Sequence, residues 1–174
     1  MTHCFDTQDL PDRARRVPDG GGDQIFAFEQ DFAGSLRCIP MIVRFKLDLA
    51  GVKLSLRQWS QLNCPTRGWL VSAPCETPDD IARYRADLVN RIHAQADEPP
   101  KLFEVERAPA WADATRIAET VTAWSAGIGV APPSDADWRR LSDLQRFTLI
   151  KLTRPGHDND NFYPALVEFG LAER

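Results

Sequence analysis

The sequence predicts a mainly α protein: a single compact helical domain over residues 24–174, preceded by a flexible N-terminal arm over residues 1–23, with an internal duplication of a helix–turn–helix–helix unit. Three observations predict it. The first is a repeat. Trp59, Leu62, Arg67 and Leu70 spell W-x2-L-x4-R-x2-L, and Trp138, Leu141, Arg146 and Leu149 spell it again. Upstream, after a one-residue slip, Ile39, Val43, Gly51 and Val52 find counterparts in Ile117, Val121, Gly129 and Val130. A repeat governs the reading of architecture, and two copies are too few for a solenoid. The copies are therefore expected as two units, at about 40–72 and 118–152, with Trp59 and Trp138 buried in equivalent places. The second observation is a set of cap residues ahead of apolar runs: Ser55, Thr77, Ser134 and Ser142. The third is apolar spacing at the helical period, clearest in Ile81, Tyr84, Leu88 and Ile92.

Taken in order, residues 1–23 carry many charges, Pro11, Pro18 and Gly20-Gly21-Gly22, so they have little to bury. Residues 25–28 are apolar, and an extended segment docking the end of the arm is expected there. Residues 39–56 support two readings. Val43, Phe45, Leu47 and Leu49 alternate with Arg44, Lys46 and Asp48, a strand pattern that a turn at Ala50-Gly51 would close into a hairpin. Pro40 near the first helical position and Gly51 as a stop suit a helix instead. The second copy lacks the alternation, so a helix is expected over 40–50. Ser55 and Gln58 open a helix of about two turns ending near Asn63, and Pro65-Thr66 open another through Val71. Thr77-Pro78-Asp79-Asp80 opens a long helix to about residue 95, with acids facing its positive end. Pro99-Pro100 breaks the chain, and Leu102 to Val105 is expected to be extended. Helices follow at about 115–127, 134–141 and 143–153. A last one runs from Phe162 to Phe169, stopped by Gly170.

The 174 residues suffice for a real core. A net charge of −4 is the wrong sign for a dedicated nucleic-acid binder, and it counts against a helix-turn-helix regulator. No apolar run approaches the roughly 20 residues that span a bilayer, and residues 1–22 lack the apolar centre of a signal peptide. A cytoplasmic protein is expected, with no membrane or nucleic-acid partner. Cys4, Cys38, Cys64 and Cys75 include no C-x2-C pair, so free, mostly buried thiols are expected.

The polar run His157-Asp158-Asn159-Asp160-Asn161, with Arg154 before it, lies between two helices. It lacks the spacing and the glutamate of a calcium loop, and Asn and Asp favour turns. His157 stands without an evident catalytic partner. Cys38, between Arg37 and the start of a helix, sits where a thiolate would be favoured, although a small buried side chain at a helix entry is the commoner use of cysteine. Cys75 also precedes a helix start. A small enzyme using Cys38 or Cys75, alone or with a metal, is the competing reading. No nucleophile elbow, phosphate loop or paired zinc histidines is present.

The runs Ser35 to Asp48, Gly51 to Leu56 with Trp59, Leu144 to Leu152, and Arg154-Pro155 through His157 to Leu166 resemble the nitrate reductase associated protein family. The likeness extends from about Phe26 to Leu171. It implies an accessory protein, not an enzyme, that supports the assembly or activity of a molybdenum-containing assimilatory nitrate reductase. The implied partners are nitrate reductase or its molybdenum-cofactor assembly machinery. No cofactor is implied for this chain, which has no pattern for a two-electron carrier. Among the residues matching the motifs, Arg37, Cys38, Arg44, Arg154, His157 and Asn161 are polar or reactive, and they are the candidates for a partner-binding surface.

Overall fold

A computed structural model describes residues 25–30, 38–154 and 160–173. The expected arm, together with Arg37 and His157, lies outside them. The described chain is mainly helical and divides into two compact units, one running to Val105 and the other starting at Glu106.

The first unit begins with a 3-10 turn, Ala27–Glu29, where an extended segment was expected. Phe26 is buried and its ring stacks on Phe28 at 5.5 Å. The turn delivers Glu29, itself buried, to the start of helix α1, Met41–Ala50. There its carboxylate accepts the Met41 N–H at 2.9 Å. Pro40 precedes the helix, so the first free N–H to be capped is that of Met41. The strand reading of this stretch fails for a periodic reason. Met41, Ile42, Val43, Lys46, Leu47 and Ala50 are the buried positions, a helical face, whereas Phe45 and Leu49 are only half-buried. Gly51 ends α1 in the left-handed region, φ 63°, and a Cβ there would lie 2.7 Å from the Phe103 carbonyl. Both facts require glycine.

Strand β1, Val52–Lys53, follows, and it pairs with β2, Lys101–Leu102, in antiparallel register: Val52 opposite Leu102, Lys53 opposite Lys101. Helix α2, Leu56–Gln61, is closed by a reciprocal box in which Ser55 Oγ accepts the Gln58 N–H at 3.1 Å and Gln58 Oε1 accepts the Ser55 N–H at 2.9 Å. Asn63 caps α3, Cys64–Ser72, by accepting the Thr66 N–H at 2.9 Å. Thr77 and Asp80 make the same box for α4, Pro78–Gln95. α4 packs on α1, with Tyr84, Leu88 and Ile92 fully buried and Ile81 half-buried. Each such side chain contributes about 1.5–3 kcal/mol of transfer free energy.

In the second unit a 3-10 turn, Ala110–Ala112, precedes α5, Glu119–Gly127. α5 starts later than the expected residue 115. Asp113 Oδ1 accepts both the N–H and the hydroxyl of Thr115, at 2.8 and 2.6 Å, and this local turn competes with the helix. Helix α6, Asp135–Arg140, is boxed by Ser134 and Asp137, and α7, Asp143–Leu152, by Ser142 and Gln145. Helix α8, Phe162–Glu168, gives way to Gly170 at φ 69°. The core of this unit includes Trp138, Phe147, Leu149, Leu152, Phe162 and Leu166.

Each unit holds one copy of the W-x2-L-x4-R-x2-L pattern. Trp59 and Trp138 are both buried, each four residues after its serine cap. Leu62 and Leu141 both turn the chain into extended conformation just before the next cap, Asn63 or Ser142. The likeness is one of helix pairs and their caps, and a duplicated three-helix unit is not established by it. The arginines of the two copies already behave differently. Arg67 is half-buried, donates to Ser60 O at 2.8 Å and lies 5.5 Å from the Trp59 ring centroid. Arg146 is buried and donates to Trp111 O at 2.7 Å, Trp138 O at 3.3 Å, Leu141 O and Asp143.

Candidate functional site

The first unit brings Cys38 and Arg44 together at the entry to α1. Arg44, in the first turn of the helix, folds back so that its Nε donates to Ile39 O at 2.8 Å, next to Cys38. Cys38 is free and half-buried, not fully buried as a purely structural thiol would be. The entry is therefore a partly open surface of one thiol and one guanidinium, with the Glu29 carboxylate beneath it on the helix N-terminus. Arg44 Nε anchors the guanidinium at the helix entry, and a guanidinium is a group suited to carboxylate or phosphate.

In the second unit Arg154 and Asn161 flank residues 155–159. Arg154 is exposed just past α7, and its N–H returns to Lys151 O at 3.2 Å. Asn161 is half-buried at the cap of α8 but makes no cap hydrogen bond with its side chain. Cys38 and Arg44 thus belong to one unit, Arg154 and Asn161 to the other, and Arg37 and His157 lie outside the described residues.

Cys75 does not suit a nucleophile. It is buried in the first unit, and burial pushes its thiol up to about 11, against the opposing effect of Lys46 and with Asp80 adding to the rise. A neutral thiol at physiological pH is a poor nucleophile and metal ligand. Its Sγ lies 4.0 Å from Lys46 O. Cys38 and Cys75 are free thiols. Among the described residues, no group of three His, Cys, Asp or Glu side chains could hold a metal ion. Tyr84 is buried with its hydroxyl donated to Leu70 O at 3.0 Å, and burial raises it well above the usual tyrosine range.

Two charged residues missed in the sequence are among the most buried. Lys46 donates from Nζ to Val71 O at 2.6 Å and Ala73 O at 2.7 Å, the open carbonyls at the end of α3. A cation suits that negative helix end. Its place on the buried face of α1, between Val43 and Ala50, was the available signal. Glu29 offered none, because its target lies twelve residues away.

The sequence model of conserved nitrate reductase-associated proteins matches residues 25–169. The chain belongs to that family. No curated protein and no solved structure matches it. The family match covers every described residue of the first unit and all of the second up to residue 169. The family's description names association with a reductase and not reduction itself. No helix of the described residues is long and apolar enough to cross a membrane.

Proposed function

We propose that this protein supports a molybdenum-dependent assimilatory nitrate reductase in the cytoplasm, by binding the reductase or the machinery that assembles its molybdenum cofactor, and that it is not itself an enzyme. The observation that carries the reading is the family match over residues 25–169. The buried reactive groups support it. Glu29, Lys46 and Arg146 are each tied to backbone groups that hold the fold, and the Cys75 thiol is protonated and enclosed. Cys38 and Arg44 at the α1 entry, with Arg154 and Asn161 beside residues 155–159, and Arg37 and His157, are the proposed contact residues. Deleting the gene should slow growth on nitrate as sole nitrogen source, and the purified protein alone should reduce no nitrate. Undiminished growth of the deletion strain would refute the supporting role. Substituting both Arg154 and His157 with alanine should leave the far-ultraviolet circular dichroism unchanged and weaken complementation; full rescue would remove those two residues from the contact surface.

A further inference from the structure

We propose that the outward face of the β1–β2 ribbon in the first unit is the docking site for an extended, acidic segment of a protein partner, which adds as a strand to the free edge of β2. The proposal rests on the reading that the protein works by binding another protein, and it adds to the candidate contact residues a surface that includes Lys53, within the motif run Gly51 to Leu56, and Lys101 and Phe103, outside the motif runs.

Among the described residues the ribbon has two strands, and Lys53 stands directly opposite Lys101. Residues paired in antiparallel register project to the same face, and like charges set opposite each other destabilise the pair. Both lysines are exposed, and neither has a hydrogen-bond or ion-pair partner among the described residues. Arg85 adds a third cation: its Nη1 donates to Ala50 O at 3.2 Å and would lie 3.1 Å from a Cβ on Gly51. It too forms no ion pair among the described residues.

The same face is apolar between these charges. Phe103 continues the ladder by donating to Gly51 O at 3.0 Å, so it lies on the side of Lys101, two residues before it. Val105 reaches the same place, 3.0 Å from a Cβ on Gly51. Phe103 is 41% exposed and Val105 40% exposed. Every residue from Lys101 to Val105 is exposed, whereas Val52 on β1 and Leu54 just after it are buried. β2 therefore carries the open edge.

Lysine on an edge strand commonly guards against unwanted pairing. One lysine would do that without the repulsion, and a guard would not leave an aromatic ring exposed beside it. A partner strand laid along β2 would place its own side chains opposite Lys101 and Phe103. A carboxylate at the first place and an apolar residue at the second would relieve the lysine repulsion and cover the ring.

The experiment uses the full chain and a short peptide of alternating glutamate and valine, followed by fluorescence anisotropy at low salt. Saturable binding is expected, weakening about tenfold in Lys53→Glu and again in Phe103→Ser. Lys53→Glu places opposite charges across the ribbon, so its melting temperature should not fall. Loss of binding without loss of stability separates docking from folding. Equal binding of an alternating lysine–valine peptide, equal binding of a single-stranded oligonucleotide, or undiminished binding by Lys53→Glu would each overturn the proposal. A parallel measurement uses purified nitrate reductase. If it binds the wild type and Lys53→Glu equally well, the docking face is wrong and the supporting role stands. If it does not bind the wild type at all, direct binding to the reductase is wrong, and the peptide result still decides the docking face.

Discussion

Replacing Arg146 with methionine should destabilise the second unit by about 3–5 kcal/mol, the scale of breaking a buried charged network from one side. The side chain is 5% exposed and serves the carbonyls of Trp111, Trp138 and Leu141 as well as the Asp143 carboxylate. Two of those carbonyls close the end of α6 and the third anchors the 3-10 turn. Methionine keeps most of the stem volume but leaves three carbonyls without their charged donor, at about 1–3 kcal/mol each. Relief of the guanidinium's desolvation offsets part of that sum, which gives the lower net figure. Arg67, its counterpart in the other copy, is half-buried, serves one carbonyl and sits over one ring. Its replacement by methionine should cost about 1–2 kcal/mol. Arg146→Lys should recover only part of the loss, since an ammonium cannot reproduce the guanidinium fork. Urea titrations followed by far-ultraviolet circular dichroism and by tryptophan fluorescence measure all three. Equal losses for Arg146→Met and Arg67→Met, within about 0.5 kcal/mol, would refute the idea that one repeated arginine organises its unit while the other only trims a surface.

Stability should fall at alkaline pH: the Cys75 thiol, raised in the fold to about 11 by burial, contributes stability that is fully present below its unfolded value near 9 and is lost as pH rises through the folded one. Buried Tyr84, shifted in the same direction, extends the loss to higher pH, and thermal melts from pH 8 upward should show the decline, with Cys75→Ala flattening its first part. Gly51→Ala should lower the melting temperature well beyond the effect of Gly129→Ala. Both sites need positive φ, at about 1–2 kcal/mol each for alanine, but only at Gly51 would the new Cβ also press on the Phe103 carbonyl and on Val105.

The caps at Ser55, Thr77, Ser134 and Ser142 fall on residues whose side chains reach backbone only three positions away. Such contacts are local enough to be visible in the order of residues, and so were the helix stops at Gly51 and Gly170. What could not be seen depends on distance along the chain. The Glu29 cap spans twelve residues. Val52 and Lys53 looked like half of a local hairpin, but their partners, Leu102 and Lys101, lie beyond the end of α4. The start of α5 was misplaced because Asp113 binds Thr115, a contest between two local structures that apolar spacing does not register. Of the candidate contact residues, Arg37, Cys38, Arg154, His157 and Asn161 stood out locally as well as by motif likeness, and Arg44 by motif likeness alone. Of these, Arg44 turns back to the Ile39 carbonyl, the residue after Cys38, at the entry to α1.

The placement of charge gives the binding reading its physical content. Glu29, Lys46 and Arg146 are buried, and each is satisfied by backbone groups that would otherwise be open helix ends or turn carbonyls. A fold that compensates its interior charges this closely does not leave like charges opposed by necessity. Lys53 and Lys101 are opposed nonetheless, on the open ribbon beside an exposed phenylalanine. In water the repulsion is small, because exposed charges are screened. Against a partner that excludes water, the same pair would become a strong and selective demand for carboxylate. The ribbon is thus nearly neutral to the stability of the free protein and costly to cover with anything but an acidic strand, which is the property expected of a surface that discriminates among partners.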